Sequence, residues 1–215
     1  MHAVLCANAP FSGEAEGLLR DSVQSADLLV GVDGGAQTLR RYGLTPQIVT
    51  GDGDSLSEQE GAELERLGAV RIATPDQDYT DLDKALAYVI QVCGAVKITV
   101  FGATGGRLDH SYSVFSALLK HGRRAEICLV DEIASYELVA GSWQRRGNDL
   151  PGRTLSLLAF GRVEGITTNG VRWPLSNDWL APGLRDGTLN EVTEEHIGVT
   201  VGSGDLIVML HHQAN

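Results

Sequence analysis

A chain of 215 residues, 43% hydrophobic and 21% charged, has the composition of an ordinary globular protein. At this length it can bury roughly 70% of its unfolded surface without disulfide or metal staples. Its net charge of −11, with only 17 basic residues, argues against broad nucleic-acid contact, which needs a basic face to neutralise phosphates, and equally against an anionic membrane surface.

The first 130 residues alternate short apolar runs with longer amphipathic ones. A strand at 3–7 precedes a helix at 14–23, a strand at 28–32 precedes a helix at 37–42, and a strand at 48–50 precedes a helix at 58–67. A strand at 70–73 leads to the clearest helix, 81–92, with Leu82, Leu86, Val89 and Ile90 along one side. A strand at 98–101, a helix at 108–120 and a strand at 127–130 complete the series. This alternation predicts a mainly parallel, Rossmann-like sheet covered on both faces. After Asp131 the pattern changes to strands at 135–139, 154–159, 163–168, 199–201 and 206–210, separated by turns rich in Gly, Pro and Asn. Within Thr168-Asn169-Gly170-Val171, the Asn-Gly pair predicts a type I′ hairpin. Two domains are expected, an α/β domain over 1–131 and an antiparallel β-domain over 132–215.

Four segments carry the chemistry. Val32-Asp33-Gly34-Gly35-Ala36, Gly51-Asp52-Gly53-Asp54-Ser55, Asp76-Gln77-Asp78-Tyr79-Thr80-Asp81 and Gly102-Ala103-Thr104-Gly105-Gly106-Arg107-Leu108-Asp109-His110 each follow a predicted strand. In an open parallel sheet such junctions share the carboxyl edge, where ligands bind. Asp52 and Asp54 alternate among glycines, so both can approach one hard cation, with Asp81 and Asp33 from neighbouring junctions; Mg²⁺ takes a few carboxylates together with phosphate and water oxygens. Acidic residues beside glycine also make surface turns and helix caps, and that reading stays open for any one segment. Thr80 is placed to cap the helix at 81, with Lys84 facing the same side as Asp81. Lys84 is one of three lysines against fourteen arginines, and it reads either as a phosphate ligand or as half of a solvated ion pair. Gly105 and Gly106 would let backbone N–H groups reach an anion at a helix N-terminus, Arg107 adds a bidentate phosphate donor, and His110, beside Asp109, a further one. No Gly-x-Ser-x-Gly elbow or Walker A sequence is present. His211-His212 reads as a solvated pair in the tail. The local chemistry is that of a Mg²⁺–nucleotide site working by positioning and charge neutralisation.

In this order the segments resemble the thiamine pyrophosphokinase family. The resemblance runs on through Asp81-Leu82-Asp83-Lys84-Ala85-Leu86 and Gly165-Ile166-Thr167-Thr168-Asn169-Gly170-Val171-Arg172-Trp173-Pro174-Leu175, and so covers nearly the whole chain. It implies an α/β domain followed by a C-terminal β-sandwich. It also implies a homodimer with active sites at the subunit interface, and transfer of the pyrophosphoryl group of ATP to thiamine. Residue by residue, it implies Asp52, Asp54 and Asp81 as Mg²⁺ ligands with Asp33 nearby. Lys84, Gly105, Gly106, Arg107, Asp109 and His110 would hold the nucleotide and its phosphates. Gln77, Trp173 and Asn190 would contact thiamine. The chain departs from the family pattern at Val114, usually Asn, at Gly53, usually bulky, and at Leu189, where a Ser precedes the Asn. A pterin-like hydroxymethyl acceptor and a non-catalytic nucleotide-binding regulator are the competing expectations; the joint presence of Asp52, Asp54, Asp81 and Lys84 argues against the second.

Cys6, Cys93 and Cys128 form no CxxC pair or zinc cluster and read as buried free thiols. The apolar run at 3–7 is too short for a signal peptide, and no stretch approaches the roughly 18 apolar residues of a membrane helix. A cytoplasmic protein is expected.

Overall fold

The structure is a computed structural model that describes residues 1–11, 13–51, 56–74, 76 and 78–214. The chain divides into two compact units, Met1–Glu132 and Ile133–Asn215.

The first unit contains β1 (His2–Cys6), α1 (Gly13–Gln24), β2 (Leu28–Val32), α2 (Gly35–Arg41), β3 (Ile48–Gly51) and α3 (Glu58–Arg66). It continues with β4 (Val70–Ala73), α4 (Asp81–Gln91), β5 (Lys97–Phe101), α5 (Leu108–His121) and β6 (Glu126–Val130). All its strand pairs are parallel, in the order β4-β3-β2-β1-β5-β6. Strands β1, β2 and β5 are buried after their first residue, as parallel strands covered on both faces must be. That is why they read as unbroken apolar runs. Val4, Cys6, Phe11, Leu19, Leu39 and Phe101 form one apolar cluster of this unit, and Ala36, Val49 and Leu64 belong to a smaller one.

The strand order reverses between β1 and β5. Chain excursions leave the sheet in opposite directions from this pair, which opens a crevice beyond their carboxyl ends. Two glycines let the backbones close in there. A Cβ on Gly35 would sit 1.8 Å from the Cys6 carbonyl oxygen, so α2 can start against the end of β1 only without a side chain at that position. Gly102, at φ +64°, would put a Cβ 2.7 Å from the Ala7 oxygen. The loops after β1 and β5 are tied together by Ala7 N–H to Phe101 O (2.8 Å) and Ala9 N–H to Gly102 O (2.7 Å).

Gly17 is the opposite case. It lies exposed in α1, and nothing would come within 4 Å of an added Cβ. Gly17→Ala is expected to raise unfolding stability by about 0.5–1 kcal/mol, because alanine loses less backbone entropy in a helix; a chemical denaturation curve reads this directly, and no rise would mean that α1 frays at this point.

The second unit contains β7 (Ala134–Leu138), β8 (Ser142–Arg146), β9 (Arg153–Asn169), β10 (Asp178–Leu180), β11 (Gly187–Glu191), β12 (His196–Thr200) and β13 (Ser203–Ala214). Pairing is antiparallel throughout, in the order β7-β13-β9-β12-β8, with β10 and β11 also on β9. Trp143, Leu155, Ile166, Ile197 and Leu206 belong to its core.

Three expectations are corrected here. The strands expected at 154–159 and 163–168 are one 17-residue strand, β9. Gly161, at φ +88°, acts as a bend inside it and does not end it. The Asn169-Gly170 hairpin is absent: only Gly170 has positive φ (73°), Asn169 pairs with Gly198, and Val171 bridges Val192. His212 is also buried, at the end of β13, where a solvated tail was expected. Among the described residues no helix is long and apolar enough to cross a membrane. None of the three cysteines is in a disulfide; burial pushes the thiol of Cys6 up to about 12, while Cys93 and Cys128 are half-buried.

Candidate active site

The crevice between β1 and β5 holds a cavity of about 530 Å³, within the range of small-ligand sites. Asn8, Asp33, Thr80, Asp81, Arg107 and His110 line it, with Gly102 and Gly105. Its walls come from the junctions after β1, β2, β4 and β5, so residues far apart in sequence converge at one sheet edge. The lining combines carboxylates with cationic and hydrogen-bond-donating groups.

Each position has a local cause. Asp33 sits at φ +51°, a left-handed conformation that aspartate tolerates better than most residues. Its N–H donates to Thr50 O at 2.7 Å, which fixes the turn between β2 and α2. Asp81 opens α4, whose N-cap Thr80 accepts from the Asp83 N–H at 3.3 Å. The helix dipole favours a carboxylate there. Asp81 Oδ1 is buried and takes no hydrogen bond from the described residues; Lys84 Nζ stands 2.8 Å away as an ion pair, not a directed hydrogen bond.

Lys84 is not on the cavity wall. Its ammonium donates to Thr74 O (2.7 Å) and Asp76 O (2.9 Å), which occupies two of the three protons a lysine offers. It staples the loop after β4 to the first turn of α4.

Arg107 is the N-cap of α5 and makes no capping hydrogen bond. Its guanidinium grips Asp109, with Nε to Oδ1 at 3.0 Å and the second contact at 2.5 Å. This hydrogen bonding is the first cause that holds the Asp109 carboxyl down to about 2. Both side chains are more than half exposed, so the pair adds little stability; what it does is aim the arginine. Gly105 and Gly106 have φ of +88° and +109° and open space around them.

Of the residues named from sequence, Asp33, Asp81, Gly105, Arg107 and His110 line the cavity. Gly106 and Asp109 flank Arg107 in sequence, and Lys84 braces Asp81. Asp52, Asp54 and Gln77 lie outside the described residues. Among the described residues, no three His, Cys, Asp or Glu side chains gather as a metal-binding group.

Trp173 and Asn190 belong to the second unit. Trp173 is 58% exposed, so it does not fill the core. The Arg172 guanidinium lies 5.2 Å from its ring centroid and is held by Glu191 at 2.8 Å. The half-buried Asn190 bonds to the Trp173 backbone through both ends of its amide.

Sequence reasoning missed two features. Asn8 carried no motif, although a polar residue directly after a first parallel strand is itself a signal. Asp83 was also passed over. It is buried between α4 and α5, where Lys120 Nζ (2.7 Å) and His121 Nε2 (2.8 Å) reach its carboxylate. Lys120 also lies 4.1 Å from the Tyr79 ring centroid, so this cluster fixes the helix that carries Asp81 against the helix that carries His110.

Comparison with known proteins agrees with this geometry. Residues 19–129 match the family model of the thiamin pyrophosphokinase catalytic domain, and residues 144–206 that of the thiamin pyrophosphokinase vitamin B1 binding domain. The chain is 29% identical over 185 residues to the thiamine pyrophosphokinase of Bacillus subtilis (strain 168), covering 85% of this chain and 86% of that one. It is 32% identical over 161 residues to thiamin pyrophosphokinase 1 of Caenorhabditis elegans, covering 71% and 65%. The crystal structure of thiamine pyrophosphokinase from Bacillus subtilis superposes with a TM-score of 0.82 at 26% identity, over 98% of this chain and 99% of that one.

Proposed function

The chain belongs to the thiamin pyrophosphokinase family, and on that premise we propose how its residues move the pyrophosphoryl group of ATP to thiamine, giving thiamine diphosphate and AMP. The observation that carries the reading is the cavity at the β1/β5 reversal, lined by Asp33 and Asp81 together with Gly105, Arg107 and His110, groups suited to binding phosphate.

The family's reaction is ATP-dependent and generally needs a divalent metal, here assigned as Mg²⁺. The residues fit such an ion. Asp81 brings a carboxylate to the cavity wall, with Oδ1 charge-paired to Lys84, and Asp52 and Asp54 add hard oxygen donors by sequence. Bound there, the cation would supply charge neutralisation to the phosphates. Lys84 holds Asp81 and the loop after β4 at their working positions. Arg107, aimed by Asp109, and His110 grip phosphate oxygens, with backbone N–H groups after Gly105 assisting at the start of α5. Asp33 braces the nucleotide side. Gln77 and Trp173 take the thiamine, with Asn190 beside Trp173.

In finer detail, the second unit is read as a β-sandwich and the first as Rossmann-like. The active unit is read as a homodimer in which a second copy contributes Trp173 to the site. Leu108 and Tyr112, one turn apart on α5, are 84% and 68% exposed, and Trp173 and Leu189 are similarly uncovered; apolar exposure of this extent suits an interface. Cysteines outside any disulfide suit a reducing compartment, here the cytoplasm.

Two measurements test the reading. AMP release from ATP should require thiamine, and a pterin alcohol should not replace it; the reverse preference would reassign the acceptor. Trp173→Ala should weaken thiamine binding about tenfold, the ~1.4 kcal/mol of a stacked cation–π contact, and leave the KM for ATP unchanged. Unaltered thiamine affinity would remove Trp173 from the acceptor site.

A further inference from the structure

We propose that Asn190 is a positioning residue for the acceptor: its side-chain amide replaces a missing strand partner for Trp173 and holds the indole in place for thiamine. This rests on the acceptor role of Trp173 given above.

The backbone explains why a side chain is needed. The segment leading to Trp173 runs beside the end of β11, with Val171 bridging Val192 and the Arg172 N–H donating to Glu191 O at 2.8 Å. In this antiparallel register Trp173 stands opposite Asn190 at a position without backbone hydrogen bonds, and β11 also breaks register against β9 between Gly187 and Asn190. Leu189 is turned to φ +62°, and its N–H is taken by Ser156 Oγ at 3.0 Å. The main chain of β11 therefore offers the Trp173 N–H and C=O no partner.

A primary amide carries the same donor and acceptor as a peptide group. Asn190 Oδ1 accepts the Trp173 N–H at 3.1 Å, and Nδ2 donates to Trp173 O at 2.7 Å. Oδ1 also accepts the Glu191 N–H at 2.9 Å. Three of the four hydrogen-bonding positions of the amide are thus spent on backbone, which leaves one proton for any other role. The next residue, Pro174, restricts Trp173 further toward extended backbone. Both polar backbone groups of Trp173 are fixed while its ring stays 58% exposed, and Leu189 alongside in sequence is 72% exposed in a strained conformation. Backbone strain and an exposed indole held in one place are features of a preorganised contact surface.

A double-mutant cycle tests this. Asn190→Ala is expected to raise the KM for thiamine about tenfold, with kcat and the KM for ATP within about twofold. Asn190→Asp, which keeps both acceptor contacts and loses the donor to Trp173 O, should fall between. In the Trp173→Ala background, Asn190→Ala should add less than about twofold, because the group it positions is gone. Penalties that multiply would show that Asn190 acts on thiamine directly and overturn the proposal. A second readout needs no substrate. In protein labelled with 5-fluorotryptophan, the Trp173 resonance, identified by its loss in Trp173→Phe, should shift or broaden in Asn190→Ala or Asn190→Asp while the other two stay put. An unmoved Trp173 resonance overturns the clamp whatever the kinetics. Failure of the wild type to use thiamine would instead overturn the acceptor reading and leave the fluorine signal to decide the clamp.

Discussion

Asp81→Asn is expected to lower kcat about a hundredfold or more at saturating ATP, thiamine and Mg²⁺, with the protein still folded. The carboxylate opens α4 on the cavity wall, where Lys84 holds its Oδ1 by an ion pair. The amide matches its shape but not its charge, and charge is what a metal-assisted phosphoryl site requires. The structural cost should be small. Thr80 still caps the helix, Lys84 keeps its two carbonyl partners, and the lost helix-dipole interaction is worth only about 0.3–1 kcal/mol. Asp52→Asn and Asp54→Asn should behave alike. Thermal melts run beside steady-state kinetics separate the two effects, and more than about a tenth of wild-type turnover would take Asp81 out of the proposed metal site.

Gly35→Ala should be the most damaging small substitution in the first unit, costing about 3 kcal/mol or more or preventing folding. The new Cβ would meet Cys6 O at 1.8 Å, Cys6 C at 2.5 Å and Ala7 Cα at 2.9 Å. All three are backbone atoms of a buried strand and its continuation, so no side-chain rotation relieves the clash and α2 must move off β1. Overpacking in cores costs 1–3 kcal/mol when side chains can adjust, and here they cannot. A denaturation midpoint close to wild type would show that α2 stands further from β1 than described.

The first unit was legible because parallel strands buried on both faces leave unbroken apolar runs, and because Asp and Gly at four of its strand-to-helix junctions mark a ligand edge. What failed to show were features whose cause is tertiary. Gly161 looks like a break in sequence and is a bend inside β9, since pairing with neighbouring strands carries the strand past it. Asn169-Gly170 has the composition of a tight hairpin, yet β12 reaches β9 from elsewhere in the chain and the turn never forms. Lys84 was recognised as important without its actual partners, two loop carbonyls, because carbonyl groups leave no mark in a sequence. Asn190 could be matched to a family position, but its backbone-mimicking bonds depend on a register break that no local pattern announces.

The ties between the loops after β1 and β5 run from backbone to backbone. How the cavity floor is held is therefore separate from what it presents. Side chains at positions 7, 8 and 9 can drift without loosening the anchor, whereas Gly102 cannot gain a side chain without parting it. A floor secured in this way can be re-dressed over evolutionary time and keep its shape, so acceptance of a new ligand would begin at residues such as Asn8.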